Sequence, residues 1–384
     1  MRQPAAPPRR YLDNAATTWP KPPEVHAAWE LAARDVGAAA GRAAYGSAAE
    51  ANAIRDRARR AAARLLGAAP DRVALPAGGT LALNMAIHGL VRPGDHVIAT
   101  AADHNATLRP LHWLARRGTI ALEVVPCDGL GRVDPAEVAA AWRPATRLVV
   151  CTHASNVTGA VQDAATIAAV AHERGGLVVL DAAQTLGQRP LDVQACGADV
   201  VCAPAHKWLL APSGTAILWA RAGVEPEPLL QGGTGTASES LDMPATLTER
   251  LEAGTGDVPA LAGLAAAVEW LEGRGVEAVG ARCRGLAAAC AARLADLGGV
   301  RVFAAAAGAP IVSFSVAAHD PAEVAAILEQ AAGVEVRSGF HCAAAIHEHI
   351  GTQAGGTVRA SFGPFNVEAD VDALVATVAA LTAA

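Results

Sequence analysis

The feature that most limits the fold is an alternation of short apolar runs with helical stretches across residues 73–219. The runs are RVAL, HVIAT, IALEVV, RLVVC, LVVLD, DVVC and TAILW, and the pattern between them predicts helices over 80–89, 107–116, 135–142 and 164–174. Strands alternating with helices at this spacing predict an α/β sheet with crossover helices. Several runs have no polar break, which predicts a sheet covered on both faces. In such sheets ligands bind beyond the carboxyl ends of the strands. The residues that follow the runs are therefore the first candidates for a site: Gly78, Gly79 and Thr80, His104, Asn156, Asp181, His206 and Lys207.

A second region begins near Gly254, with predicted helices over 261–272 and 276–297, strands RVF and IVSFSV, a helix over 321–332 and a last helix from Val367. This predicts a smaller α+β domain over 251–384, joined by the N-terminal segment 1–17, beside a large domain over 18–250. The Gly-, Ser- and Thr-rich stretch before it, QGGTGTASESLDMPATLTERLEAGTGD, is expected to loop over a site or an interface. At 384 residues and 52% hydrophobic, the chain can bury a large core. Charged residues are 18% with a net charge of −6, so no basic field exists to attract nucleic acid or anionic lipid, and a small-molecule partner is expected. The start lacks an apolar core and no stretch has the apolar length of a membrane span, so no membrane association and a cytoplasmic location are expected. The seven cysteines are odd in number and mostly lie in apolar runs, which disfavours a disulfide framework.

Of the 31 basic residues only Lys21 and Lys207 are lysines. Where arginine has displaced lysine almost everywhere, a surviving lysine is a candidate for chemistry that needs a neutral, nucleophilic amine. Lys207 follows the run 200–203, and Asp181 ends LVVLD. A lysine that forms a Schiff base with an aldehyde cofactor, and a carboxylate that keeps a pyridine nitrogen protonated, are the pair that pyridoxal phosphate requires. Each residue alone is equally compatible with a helix-capping Asp and a solvated loop Lys. PAGGTLALNMA offers backbone N–H donors for a phosphate before a helix, or an ordinary turn with Thr80 as N-cap. His104 could stack on a planar ring, Asn156 and Gln184 could bond a phenolic oxygen, and all three could be turn or cap residues. Cys342 in RSGFHCA lies outside any apolar strand, with Arg337 and His341 near it in sequence to favour a thiolate that could attack sulfur; a small buried Cys is the plainer reading. Arg359 could fork onto a carboxylate. His341, Cys342, His347 and His349 lack zinc-site spacing, so no metal is expected.

In order along the chain, YLDNAATTWPKP, AGGTLALNMAIHGL, GDHVIATAADHNATLRPL, THASNVTGA, LVVLDAAQTLG, AHKWLLAPSGTAIL, LEAGTGDVPALAGL, RSGFHCA and GTVRASFGPFN resemble the class V aminotransferases, fold-type I pyridoxal phosphate enzymes, and within them the cysteine desulfurase and selenocysteine lyase branch. The resemblance covers nearly the whole chain. It implies a large domain with a mostly parallel seven-stranded sheet between helices, a small α+β domain and a homodimer. It makes Lys207 the Schiff-base lysine, Asp181 the partner of the pyridine nitrogen, His104 the stacking ring, and Asn156 and Gln184 the contacts to the phenolic oxygen. Gly79, Thr80 and His206 would hold the phosphate, with Thr255 reaching it from the neighbouring subunit. Cys342 matches the persulfide-forming cysteine and Arg359 the carboxylate anchor, with Asn14 and Arg337 placed beside them at the substrate.

The implied activity is conversion of L-cysteine to L-alanine, with the sulfur taken by Cys342 and passed to a thiol or an acceptor protein. The alternatives on the same scaffold are a selenocysteine lyase, a C–S lyase acting on a cysteine conjugate, an aminotransferase, or an inactive dimeric scaffold. Three departures from the family pattern bear on the choice. Pro204-Ala205 stands where the family has Ser/Thr-Gly, and Gly254-Thr255-Gly256-Asp257 where it has Gly-Thr-Pro-Asn. Gly41-Arg42-Ala43-Ala44-Tyr45 replaces a Gly-Arg-Gly-x-His run. A proline gives a phosphate neither N–H nor hydroxyl, and Asp257 adds a carboxylate near an anion, so a weaker phosphate cup is expected.

Overall fold

The computed structural model describes residues 7–41 and 43–383. Along the chain run strand β1 (Arg10–Tyr11), helices α1 (Pro23–Asp35) and α2 (Gly46–Leu66), β2 (Val73–Ala74), α3 (Gly79–Leu90), β3 (His96–Thr100), α4 (Asn105–Arg116), β4 (Ala121–Val125), α5 (Pro135–Ala140), β5 (Thr146–Thr152), α6 (Ala164–His172), β6 (Leu177–Asp181), β7 (Val200–Pro204) and β8 (Ala216–Ala220). After them come α7 (Leu247–Leu251), α8 (Val258–Arg274), α9 (Val276–Ala295), β9 (Val300–Phe303), β10 (Ile311–Val316), α10 (Pro321–Ala332), β11 (Val334–Glu335), β12 (Arg337–Gly339), α11 (Ile346–Ile350), β13 (Thr357–Ser361) and α12 (Glu368–Thr382).

Seven strands form one sheet in the order β2-β8-β7-β6-β5-β3-β4, with β4, β3, β5, β6 and β7 parallel and β8 antiparallel to both β7 and β2. Alternate residues of each strand enter two separate cores. Val149, Val178, Leu180 and Val201 pack on one face with α2, α6 and α8, and Leu148, Val150, Val179 and Val200 on the other with α3 and α4. Because both faces are covered, neither set can be polar, which is why these strands read as unbroken apolar runs. The chain goes outward from β3 to β4 and then returns to lay β5 on the other side of β3, so the strand order reverses between β3 and β5. A crevice at the carboxyl ends is expected where the order reverses.

A second, antiparallel sheet, β12-β13-β10-β9, packs through Val312, Phe314 and Val358 on α9, α10 and α12. The N-terminal segment is stitched to this unit. β1 pairs in parallel with β11, and Leu12 N donates to Glu335 O while Leu12 O accepts from Ser361 N. Residues 1–6 of the segment 1–17, and Arg42 of the altered run, lie outside the described residues. The sequence reading starts the small domain at 251. Leu261, Leu264 and Leu271 of α8 nevertheless share a core with the large sheet, and Leu251 of α7 packs on its other face. We therefore propose a division after Arg274.

Candidate active site

At the strand reversal lies a cavity of about 230 Å³ whose walls come from both sheets. Strand ends and the loops after them contribute Gly79, Thr80, His104, Thr152, Asn156, Asp181, Gln184, Pro204, His206 and Lys207, while the small sheet brings Arg337 and Arg359 and the loop before α11 brings His341. Most of the residues singled out from sequence thus meet in one space, although Gly79 and Arg359 are 280 positions apart.

Asp181 is 3% exposed at the end of β6, where its Oδ1 accepts from Ala183 N at 2.9 Å. Burial raises its pKa, against the Ala183 N–H and the Lys207 charge, which lower it. Burial also pushes the Lys207 amine down to about 8, with Arg359 and Arg337 adding to the fall and Asp181 opposing it. An amine at that value supplies a useful neutral fraction near neutral pH, as a nucleophilic lysine requires.

Another part of the cavity wall is built by the first turn of α3. Gly78, at φ +153°, is its N-cap and makes no side-chain cap, so the first-turn N–H groups have no intrahelical acceptor. Thr80 is therefore not the N-cap; it stands in the first turn and lines the cavity with Gly79. Pro204 packs directly behind this turn, since a Cβ on Gly79 would lie 2.9 Å from Pro204 Cδ. His206 lines the same cavity, with a buried Nδ1 that has no hydrogen-bond partner among the described residues.

His104 is the N-cap of α4. Its Nδ1 accepts from Ala106 N at 2.9 Å, and because a backbone N–H can only donate, the neutral ring carries its proton on Nε2. Burial, followed by Lys207 and the arginines at 337, 359 and 109, lowers its pKa to about 4, so the ring is uncharged at neutral pH. Asn156 Nδ2 donates to His341 O at 2.6 Å, and Gln184 is held by Trp208 Nε1 and Ala15 O. Each amide keeps one N–H for a ligand.

Cys342 lines an adjoining, wider space of about 510 Å³ that shares Thr80, His104 and Ala106 with the first. Its sulfur accepts from Arg337 Nη2 at 3.0 Å, so a guanidinium links the thiol to the cavity. His341 and Cys342 both have left-handed backbone, at φ +52° and +60°, a conformation that costs side-chain-bearing residues of order 1 kcal/mol each. Asn156 on His341 O and Asn105 N on Cys342 O hold the loop in it. His341 was expected to favour the thiolate; burial, with Arg359 and Arg337 beside it, holds its ring uncharged, so it adds no positive charge there, and the ring bonds Thr357 Oγ1 and lines the cavity.

Arg359 is 1% exposed, with Nη2 on Asp13 Oδ1 at 2.7 Å, Nη1 on Asn156 O at 3.0 Å, and a buried Nε without a partner among the described residues. Asp13, missed in the sequence reading, is its counter-ion. Asn14 does not line the cavity, contrary to expectation. Its amide bonds Ser361 O at 2.8 Å and Asn366 Oδ1 at 3.1 Å, which makes it a latch between the N-terminal segment and the small sheet. Thr255, expected to reach the phosphate of a neighbouring subunit, lies outside this chain's own cavity in a groove beside α1, while Asp257 caps α8 through Ala260 N. Tyr45 is 60% exposed and reaches no part of this cavity. His347 bonds Thr352 Oγ1 and Phe340 O. All seven cysteines are free thiols.

The aminotransferase class V profile matches residues 10–374. The chain belongs to the aminotransferase class V family. It is 34% identical over 376 residues to a probable cysteine desulfurase of Methanothermobacter thermautotrophicus, covering 95% of this chain and 92% of that one. Against the cysteine desulfurase CsdA of Escherichia coli it is 31% identical, over 95% and 92%. It spans only 61% of a probable cysteine desulfurase 1 of Mycobacterium leprae, at 32% identity. Among solved structures, the cysteine desulfurase of Thermococcus onnurineus NA1 superposes with a TM-score of 0.90 at 27% identity, over 97% and 94% of the two chains. E. coli CsdA gives 0.86 at 30%, over 96% and 93%. These matches confirm the fold class read from sequence.

A member of this family, the chain is a pyridoxal phosphate-dependent enzyme. Its residues fit the group: a buried amine, a buried carboxylate, helix-start N–H groups and an unpartnered His206 Nδ1 surround one cavity. No described helix is long and apolar enough to cross a membrane.

Proposed function

We propose that this protein is a cysteine desulfurase, taking sulfur from L-cysteine to leave L-alanine and a persulfide on Cys342. The observation that carries the reading is the Cys342 thiol, bonded by Arg337 in the space that adjoins the Lys207 and Asp181 cavity. The relatives named cysteine desulfurase support it. Gly79, Thr80 and His206 would hold the cofactor's phosphate, Asp181 its ring nitrogen, His104 its ring face, Asn156 and Gln184 its phenolic oxygen, and Lys207 its aldehyde. Once bound, it would supply an electron sink for negative charge at the substrate Cα.

The chain's own groups do the rest. Arg359, neutralised in part by Asp13, retains N–H donors for the substrate carboxylate. Lys207 removes and returns a proton at Cα. Cys342 Sγ attacks the substrate sulfur, forming an S–S bond as the Cβ–S bond breaks. That electron pair stays with carbon, which takes a proton and leaves as alanine, so the transfer needs no outside oxidant. The reading includes a homodimer in which Gly254-Thr255 of a second copy closes the phosphate end, a thiol or protein that accepts the sulfur, and a reducing cytoplasmic setting in which a reactive thiol persists.

The test is to incubate the protein with L-cysteine and a reducing thiol and quantify alanine, sulfide and pyruvate together. Alanine matched by sulfide, abolished by Cys342→Ala, is expected. Pyruvate matched by sulfide would mean elimination and overturn the persulfide role.

A further inference from the structure

The two lysines of this chain meet at one place. Lys21 lies in the segment between β1 and α1, and its ammonium donates to Thr18 O at 2.9 Å, Thr18 Oγ1 at 3.1 Å and His206 O at 3.0 Å. All three of its N–H bonds are thereby used. His206 O also accepts from Thr18 N and Thr17 Oγ1, each at 3.1 Å. Thr18 Oγ1 accepts from Lys21, and its single proton has two acceptors in reach, Lys207 O at 2.8 Å and His206 O at 3.2 Å, the shorter being Lys207 O. The carbonyls before and after the Lys207 Cα are both held by this one segment, so the direction of the Lys207 side chain follows from it.

We propose that Lys21 is a positioning residue for Lys207, its ammonium and the Thr18 hydroxyl fixing the two peptide planes from which the reactive amine reaches into the cavity. This rests on the reading of Lys207 as the amine that takes up the cofactor's aldehyde. The chemistry of Lys21 explains why arginine has not replaced it. Three acceptors crowd one nitrogen, a geometry that suits a compact tetrahedral ammonium and not the planar fork of a guanidinium. Burial lowers Lys21 to about 8, so keeping a cation there costs stability that an apolar side chain would avoid.

In the covalent step to be timed, Lys207 Nζ adds to an aldehyde carbon and a C=N bond replaces C=O. The oxygen leaves as water with the two amine protons. Borohydride then supplies the hydride that makes the link permanent, and peptide mass locates it. For Lys21→Met we expect unchanged affinity for pyridoxine phosphate, which has no aldehyde and cannot react. Capture of saturating pyridoxal phosphate on Lys207 should slow by about tenfold, as for a misplaced but intact nucleophile. Parallel loss of both would make Lys21 merely structural, and an unchanged capture rate would also overturn the proposal. If Lys21→Met does not fold, Thr18→Val decides. It should slow capture while Thr18→Ser does not, and a Thr18→Val rate equal to wild type overturns the proposal. Failure of the wild-type protein itself to form the Lys207 adduct would instead remove the functional reading and, with it, the role of Lys21.

Discussion

Arg337 occupies two places at once, as a wall of the cavity and as the donor to Cys342 Sγ at 3.0 Å. A hydrogen bond to a charged group contributes about 1.5–3 kcal/mol, so Arg337→Met should cut the yield of persulfide on Cys342 by roughly tenfold or more. Its capture of pyridoxal phosphate on Lys207 should stay within a factor of about two, since neighbouring cations only modestly alter that amine. Mass spectrometry of the Cys342 and Lys207 peptides measures both. At this scale the sequence offers candidates where chemistry restricts the residue type, and the structure brings Lys207, Asp181 and His104 into one cavity with Cys342 in the adjoining space. Lys207, Asp181, His104 and Cys342 could be singled out because few side chains offer a nucleophilic amine, a buried anion, a flat ring or a thiolate. Sequence reasoning failed where the role depends on a neighbour. Asp13 is an ordinary carboxylate until Arg359 arrives from 346 positions away, and Asn14 is ordinary until Ser361 and Asn366 surround its amide.

At the scale of elements, the contact between the start of α3 and the end of β7 decides the shape of the phosphate end. Gly79→Ala would place a Cβ 2.9 Å from Pro204 Cδ, and overpacking of this kind costs about 1–3 kcal/mol. Isothermal titration should show weakened pyridoxal phosphate binding, and Pro204→Ala in the same chain should restore part of it by removing Cγ and Cδ. Independent, additive losses would show that Pro204 does not set the position of the turn. At Pro204 the structure shows a packing role beside the missing hydrogen-bond donor: the ring backs the helix start. Most elements were legible because their pattern is local. LVVLD is β6 and IVSFSV is β10, and the helix predicted over 321–332 is α10. β1 and β11 were not, because a two-residue strand exists only through its partner, and α7 was hidden in a linker whose Gly, Ser and Thr content reads as loop.

For the whole molecule, the histidines that close around the site and its supports set the acid limit. His104, His153 and His206 are each lowered by burial from 6.5 to about 4. Unfolded histidines bind protons near 6.5 and these folded ones only near 4, so stability is complete above 6.5 and is lost as pH falls toward 4. Asp103, raised by burial to about 7, and Asp181, also raised, act in the opposite direction over that window. With His341, His347 and His96 lowered as well, the histidines outnumber them. The urea midpoint should therefore fall from pH 6.5 to 4, and His153→Gln, outside the cavity, should flatten the slope by about one proton. A midpoint that rises on acidification would contradict this. The sequence alone determined the class of sheet, the identity of the chemical groups and the family resemblance, because apolar periodicity and residue chemistry are local properties. Tertiary structure alone decided which of those groups share a cavity, that Arg337 joins the thiol to it, and that Lys21 stands behind Lys207. Those depend on where β13, the Cys342 loop and the N-terminal segment settle, and that is determined by packing between parts of the chain hundreds of residues apart.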